Sequence, residues 1–572
     1  MENVIRKIKD NNLTVDKADK GNILIIFPKN QLIDKTLTFL SDPNFQLLKS
    51  DPTSRFQTQI KTILKKSNIV LQKCNINQYI NSNPHAPILR ASIKIHKPGN
   101  PIRPIVNYIP APAYRLKKFL NNLINQILIK SNKYNITNSK HLTDQLSQIH
   151  LTANSKMISL DIHNMYTNIP ISETLTLIQN QLLQHQYNST FVTQFVDLLR
   201  CTLNQNYFLY DSKFYHQKDG LPMGSSLSSN ISEIFLQHLE QNNIEKLIKQ
   251  HSIVFYGRYV DDILLIYNSN NDLNDNILNS FNSIHPNIQY SLEKEQNNKI
   301  NFLDLKIEKC NNKIIFDIYR KPTTSKTSIH NQSICPTSYK FANFRYLLNR
   351  LNIIPLSTHR YNAELHNILS IAQHNNFPKS EILKLNKQIK RRIYIKSKTT
   401  LNDNKISKQW FPLPYYGNLS NNIKQVFNRN NINIAYTNHN YLRLQLQNRN
   451  IQKDKMTCSG IYKLKCQCGA CYIGRTTRQF TQRYKEHKHD FKYSITNRSK
   501  YAAHCIQNCH PFENQQKAFD IIRSVNNVGQ IDVWESLEIY RASQTSTLIN
   551  EQHPNIENPL FQPLLKQINN QV

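Results

Sequence analysis

The segment FYGRYVDDILLIY, Phe255–Tyr267, consists mostly of β-branched, aromatic and aliphatic residues, yet Asp261 and Asp262 stand side by side at its centre. Successive strand residues face opposite sides of a sheet, so an uninterrupted buried strand would leave at least one of these carboxylates without water or a counter-ion. A hairpin removes the conflict. With one strand ending over Arg258–Val260 and the next running over Ile263–Tyr267, both aspartates fall at a tight turn, exposed and free to take a metal ion. Taken alone, the segment is explained best as a solvated Asp-Asp turn. A third carboxylate changes that balance.

KMISLDIHNMYTNIP, residues 156–170, is an apolar strand running into Asp161, followed five residues later by Tyr166 and stopped by Pro170. Two strands that each deliver a carboxylate at one end can bring Asp161 together with Asp261 and Asp262. Phosphoryl transfer with two divalent ions needs such a cluster to clamp the attacking hydroxyl, the transferred phosphate and the leaving pyrophosphate. Between the two strands, KDGLPMGSSLSSNISEIFL (218–236) is a Gly/Ser loop entering an apolar helix, and its small residues would let a template or nucleotide approach the backbone. In isolation it is an ordinary loop.

Charge points to the partner. The 572 residues carry 72 Lys+Arg against 38 Asp+Glu, a net of +34, and so large an excess favours a polyanion, most often nucleic acid. A membrane surface is the rival, but MENVIRKIKDNNLTVDKADKGN has no apolar signal core. Nor does any stretch reach the roughly 18 apolar residues a spanning helix needs. The expectation is a soluble, intracellular chain with no membrane partner and three or four domains.

SIKIHKPGNPIRPIVN (92–107) reads as a basic hairpin turning at Pro98, Gly99 and Pro101, preceded by a short strand over Ile23–Phe27 and Lys-rich helical segments. Helical spacing covers Tyr114–Lys130 and returns from about 340 to 400, ending in KLNKQIKRRIYIKSK, where seven of fifteen residues are basic and none acidic. That run is a solvated helix face or a nucleic-acid contact; the net charge favours the contact.

In order along the chain, these segments resemble the reverse transcriptase palm and fingers over roughly 90–345: SLDIHNMY, GLPMGSSLSS, YVDD, and later NFLDLKI (301–307) and YRKPT (319–323). The resemblance implies that Asp161, Asp261 and Asp262 bind two Mg2+ and that Tyr166 excludes a ribose 2′-hydroxyl. It also implies that Arg103 and Lys94 contact phosphates, and that Gly220 lies at the nucleotide. Tyr166 and YVDD in place of a Gly-Asp-Asp turn favour DNA over RNA synthesis.

Six of the ten cysteines, Cys458, Cys466, Cys468, Cys471, Cys505 and Cys509, crowd one C-terminal stretch, which in an intracellular chain suggests metal before disulfides. There, SGIYKLKCQCGACYIGRTTRQFTQRYKEH (459–487) holds two short extended runs joined by a tight turn, with Tyr462 and Tyr472 on neighbouring strands. Arg483 and His487 follow four residues apart on one face of an expected helix. These four groups could activate water and stabilise charge on a phosphodiester, although spacing alone favours aromatic packing against a helix. GIY followed by YIG resembles the GIY-YIG endonucleases over about 458–555, which implies Arg483 as the catalytic arginine, Glu535 rather than Glu538 as the ligand of one Mg2+, and Asn550 as a late site residue. Cys466 and Cys468 with His504 and His510 could hold Zn2+, with Cys471, Cys505 and Cys509 as competing ligands.

Both parts in this order are similar to the Penelope-like retroelement proteins, which DKADKGNILIIF (16–27) and LPYYGNLSNNIKQVF (413–427) also resemble. The resemblance implies an α+β, multidomain chain: an N-terminal basic region (1–90), right-hand fingers and ferredoxin-like palm (91–345), a helical thumb and connector (346–450), and a small α/β nuclease with a zinc site (451–572). Its partners would be template RNA, target DNA, a DNA primer and deoxynucleoside triphosphates, and its work nuclear after cytoplasmic synthesis; the basic run Lys384–Lys398 offers only a weak import signal. Starting so close to DKADKGN, the chain would be a truncated copy, and Ser226 replaces a proline frequent in the family. A nuclease-centred repair or homing protein leaves Asp161, GLPMG and YVDD unexplained. An inactive or domesticated nucleic-acid-binding copy is opposed by the intact carboxylates, Arg483 and Glu535.

Overall fold

The computed structural model describes residues 2–20, 23–72, 75–95, 97–128, 132–398, 409–437, 454–525, 528–544 and 547–550. Its centre is a four-stranded antiparallel sheet of Ser155–Ile162, Ile253–Tyr259, Asp262–Asn268 and Tyr290–Lys294. Numbered along the chain, these strands lie in the order 4-1-3-2, with helices following the first and third, which is the ferredoxin-like arrangement expected of the palm.

The period-two alternation of these strands sorts their side chains into two cores. Ile158, Leu160, Ile263, Leu265 and Tyr267 pack with Leu247, Ile277 and Phe281 on the helical face. Met157, Leu264 and Ile266 pack on the other face against Ile300, Leu305, Ile307 and Phe316. The latter belong to a second antiparallel sheet, Lys299–Phe302, Leu305–Cys310 and Lys313–Ile318. By parity Asp161 and Asp262 share the Met157/Leu264 face, and they are paired across the sheet.

The fingers are more continuous with the N-terminus than the boundary at 90 allows, because that boundary cuts a strand. A five-stranded sheet runs Phe45–Leu48, Lys213–Gln217, Tyr207–Tyr210, Ile88–Ile93, Ile102–Asn107. The basic hairpin is therefore present as expected. The single early strand is instead half of a hairpin, Leu13–Lys17 with Leu24–Pro28, whose turn docks on the sheet through the Asp19 N–H to Ile93 carbonyl bond of 3.1 Å. LTVDK is too short and too polar at its end to declare itself without its partner.

Helices Ala342–Ile353, Thr358–His374 and Lys379–Lys398 bury Phe344, Leu348, Ile368, Ala372 and Phe377 between them. They are tied to the second sheet and the segment after it by Arg320–Glu364, Arg360–Glu308 and the 3.4 Å Arg350–Asp304 pair. The region assigned to thumb and connector is not helical throughout: Gln409–Pro414 and Ile432–Thr437 pair in parallel around helix Asn418–Arg429. At the C-terminal end, Cys471–Thr476, Gly460–Lys465 and Phe519–Ser524 form a three-stranded antiparallel sheet with helices Phe480–Lys492, Lys500–Gln507 and Val528–Ser543. Among the described residues no helix is long and apolar enough to cross a membrane.

The side chain that holds the carboxylate hairpin is Arg258, 1% exposed. Its Nε donates to Glu240 at 2.6 Å, and its terminal nitrogens donate to Glu233, Glu240, Asn135 and, at 3.0 Å, the Val260 carbonyl. Removing the guanidinium strands two carboxylates in the interior. Arg258→Met is expected to destabilise the sheet by about 3–5 kcal/mol; hydrogen exchange over Ile253–Tyr267 measures it, and unchanged protection there would contradict the assignment.

Candidate active sites

The expected hairpin forms between Ile253–Tyr259 and Asp262–Asn268, with Val260 and Asp261 at its tip. Val260 takes φ 58°, rare for a β-branched residue, and the Asp261 carbonyl accepts the Ile162 N–H at 3.1 Å, tying the tip to the first strand. Asp161, Asp261 and Asp262 thus gather at one end of two neighbouring strands. Burial first, and then the Asp261 charge, raise the Asp161 carboxyl above its ordinary range. The same two causes, with Asp161 added, push Asp262 up to about 6. Three carboxylates gathered at one strand end form a hard-oxygen donor set that fits Mg2+. Beside them a cleft of about 320 Å³ is lined by Asp161, Asp262, Ser291, Tyr319 and Lys321.

Tyr166, on the short helix Met165–Asn168, is half-buried with its hydroxyl at Ser229; burial and the Asp261 charge raise its pKa. It therefore lies near the carboxylates, as expected. Arg103 pairs with the buried Asp19 carboxylate at 3.3 Å, and Lys94 sits close enough to Arg103 for that charge, after burial, to lower its pKa. Gly220 departs from expectation. A Cβ there would lie 2.1 Å from the Thr167 carbonyl oxygen, so what approaches this glycine is the chain itself rather than a nucleotide. Gly224 makes the same close approach to the Val106 carbonyl, and Val106 N–H donates to Met223 at 2.9 Å. The glycines clamp the loop between the carboxylate strand's end and the fingers hairpin.

In the C-terminal sheet Tyr462 lies opposite Gly474, and a Cβ at Gly474 would stand 2.5 Å from the Tyr462 hydroxyl. The tyrosine of one triplet thus needs the glycine of the other. Arg483 Nε donates to Tyr462 Oη at 3.1 Å, and Tyr472 packs on both Tyr462 and His487. His487 is fully buried, 2.7 Å from Tyr462 Oη through Nε2 and 2.7 Å from Ser499 Oγ through Nδ1. Burial and then Arg483 hold its pKa down to about 3, so it remains neutral and positions Tyr462 rather than meeting a substrate. Glu535 is brought to this cluster and bonds Arg475 at 2.9 Å; burial raises its pKa. Asn550 is a correction. Its amide accepts the Ile473 N–H and donates to the Ile473 carbonyl, at 2.9 and 2.8 Å, so it holds the strand between Tyr472 and Gly474.

The Cys466, Cys468, His504 and His510 ligand atoms all lie within 4.8 Å of one another, with Cys466–His510 and Cys468–His504 at 3.3 Å. Two thiolates and two imidazoles at such spacings fit tetrahedral Zn2+. Cys471 and Cys505 are buried in the sheet and helix, and neither they nor Cys509 belong to this group. The tight Cys-x-Cys spacing works because the turn closes through Cys466 N–H to the Ala470 carbonyl.

Three contributors carried no individual role in the sequence reading: Arg258, and Lys20 and Lys321 within the segments DKADKGN and YRKPT. Glu233 and Glu240, seven apart on one face of the apolar helix Ser228–Gln250, were the available signal for a buried cation.

Residues 95–334 match the family model described as reverse transcriptase (RNA-dependent DNA polymerase), and this segment is a reverse transcriptase domain. No curated protein matches the chain in sequence. Among solved structures, telomerase from Candida albicans with a fragment of telomeric RNA is similar at 11% identity and a TM-score of 0.43, covering 70% of each chain. Apo telomerase from Candida tropicalis is similar at 12% identity and a TM-score of 0.39, covering 68% of this chain and 70% of its own. The BmCPV RNA-dependent RNA polymerase is similar at 10% identity and a TM-score of 0.35, over 63% of this chain and 34% of its own.

A carboxyl whose folded pKa is raised favours the protonated native state, so its penalty is absent below the unfolded pKa and grows as pH rises through the folded value. With Asp262 at about 6, metal-free stability is expected to fall between pH 4 and 6 on this account. Asp262→Asn should stabilise the metal-free protein at pH 7 by roughly 1–3 kcal/mol and flatten that slope. Urea unfolding of both forms across this range checks the sign.

Proposed function

We propose that the chain is an RNA-directed DNA polymerase joined to a DNA-nicking endonuclease of the GIY-YIG kind, acting in target-primed copying of a Penelope-like element. The observation that carries the polymerase reading is the convergence of Asp161, Asp261 and Asp262 at one end of two paired strands, inside the segment that matches the reverse transcriptase family model. Mg2+ held by these carboxylates would supply Lewis-acid activation of a primer 3′-hydroxyl and neutralise the triphosphate. Around it, Arg103 and Lys94 would hold phosphates, and Tyr166 would stand where a ribose 2′-hydroxyl must be excluded. Template RNA, a DNA primer and deoxynucleoside triphosphates are the substrates this reading requires.

The nuclease reading rests on Tyr462, Tyr472, Arg483 and Glu535 meeting on one side of the C-terminal sheet. Tyr462 would face the attacking water with its hydroxyl oriented by His487, Arg483 would stabilise charge on the phosphodiester, and Glu535 would hold one Mg2+. Freeing Glu535 for a metal requires Arg475 to turn away. Zn2+ in the Cys466/Cys468/His504/His510 group would lock the turn between the two tyrosine strands to the helix that carries His504. Nicking of target DNA would release the 3′-hydroxyl that primes synthesis, which places the work in the nucleus.

The two sites are separable. Asp261→Asn is expected to lower nucleotide incorporation at least ~100-fold while leaving nicking intact, and Arg483→Ala to do the reverse. Parallel primer-extension and plasmid-nicking assays read this directly; loss of both activities in either folded variant would sink the two-site reading.

A further inference from the structure

The N-terminal hairpin lies outside the matched segment, yet its turn reaches the carboxylate cleft. Its position is fixed at three points: the Ala18 N–H to Ile23 carbonyl bond closes the turn at 2.9 Å, Asp19 N–H binds Ile93, and the Asp19 carboxylate binds Arg103. The Asp19 side chain is only 5% exposed, and its second oxygen is buried with no hydrogen-bond partner among the described residues. A buried carboxylate satisfied by one arginine holds its segment in place, because leaving that partner is costly.

The next residue, Lys20, stands close enough to the site carboxylates for its charge to reach them. Its ammonium is within hydrogen-bond reach of Lys321, and both lysines act electrostatically on Asp262. Lys20 also acts on Asp161. Lys321 lines the cleft beside Asp161 and Asp262, at the start of the turn that follows Ile318 and Tyr319. Two ammoniums offer six donors and no acceptor, so neither can satisfy the other. Partial burial first, and then Lys20, depress the Lys321 pKa to about 8. Lys97 acts on Asp161 as well, and Arg103 and Lys97 both act on Lys94.

We infer that Lys20 and Lys321, from opposite ends of the polymerase part, form an anion site that grips the diphosphate group of the incoming nucleotide and of the pyrophosphate product. The site rests on the polymerase reading for its substrate, but its existence can be measured without turnover. A diphosphate placed between the ammoniums accepts from both, relieves their repulsion, and lies beside the carboxylates where the bond to the α-phosphate breaks. Asp19 is a positioning residue here, setting Arg103 and Lys20 together.

Equilibrium binding of inorganic pyrophosphate to the full-length protein tests the inference, with Lys20→Gln, Lys321→Gln and the conservative Lys20→Arg. Each glutamine variant is expected to weaken pyrophosphate about tenfold and to raise the KM for deoxynucleotide by a similar factor, while Lys20→Arg retains most of the affinity. Affinity for a primer–template duplex should not move. Pyrophosphate binding that is undetectable, or unaltered in both glutamine variants, would overturn the site. So would a loss confined to duplex affinity, which would assign the lysines to a nucleic-acid backbone. Lysine-dependent pyrophosphate binding without any primer extension would keep the site and refute the polymerase reading; normal extension with lysine-independent binding would do the opposite.

Discussion

All five N–H groups of Arg258 are engaged, by Glu233, Glu240, Asn135 and the Val260 carbonyl, and the last of these bonds reaches into the turn that carries Asp261 and Asp262. A left-handed Val260 costs about 1–3 kcal/mol and persists only where the surroundings hold it. A buried ion network contributes little net stability compared with an apolar core, but it fixes geometry, because every alternative position leaves a charge unpaired. Arg258 therefore sets where two of the three site carboxylates stand. The third follows from strand pairing, since Asp161 faces Asp262 across the sheet.

The site is a local reversal of the whole molecule's charge. A chain of net +34 concentrates three carboxylates at one strand end, with Lys20, Lys97 and Lys321 close enough to act on Asp161 or Asp262. Burial first, and then the neighbouring carboxylates, hold Asp161 and Asp262 at raised proton affinity; burial first, and then neighbouring cations, hold Lys94 and Lys321 at lowered. Divalent cations would answer the first imbalance and, on the inference above, a phosphate chain the second. The C-terminal site uses the same economy of buried polar groups, with neutral His487 spanning Tyr462 and Ser499 so that the tyrosine hydroxyl has one orientation.

How much of this was legible depended on sequence distance. The conflict between Asp261–Asp262 and their apolar flanks demanded a turn, whereas the face shared by Asp161 and Asp262 follows from the register of the two paired strands. Spacing put Tyr462 and Tyr472 on neighbouring strands and Cys466 and Cys468 at one turn, but the resemblance of GIY and YIG to a nuclease family, not the spacing, singled out the tyrosines. What could not be read were partners far along the chain. Arg258 depends on a helix face ending at Glu240, and Lys20 meets Lys321 only through the tertiary fold. Family resemblance brought Asn550 and Gly220 into the site, and helical spacing brought His487 there. Burial makes His487 a positioning group, two backbone bonds occupy Asn550, and Gly220 is small because Thr167 presses on it.

The most direct measurement is extension of a DNA primer annealed to an RNA template of defined sequence, with deoxynucleotides or ribonucleotides, in the presence and absence of Mg2+. A metal-dependent deoxynucleotide product complementary to the template is predicted, with ribonucleotides poorly used because Tyr166 flanks the carboxylates. A folded protein that adds nothing, or adds nucleotides without regard to template, would contradict the account.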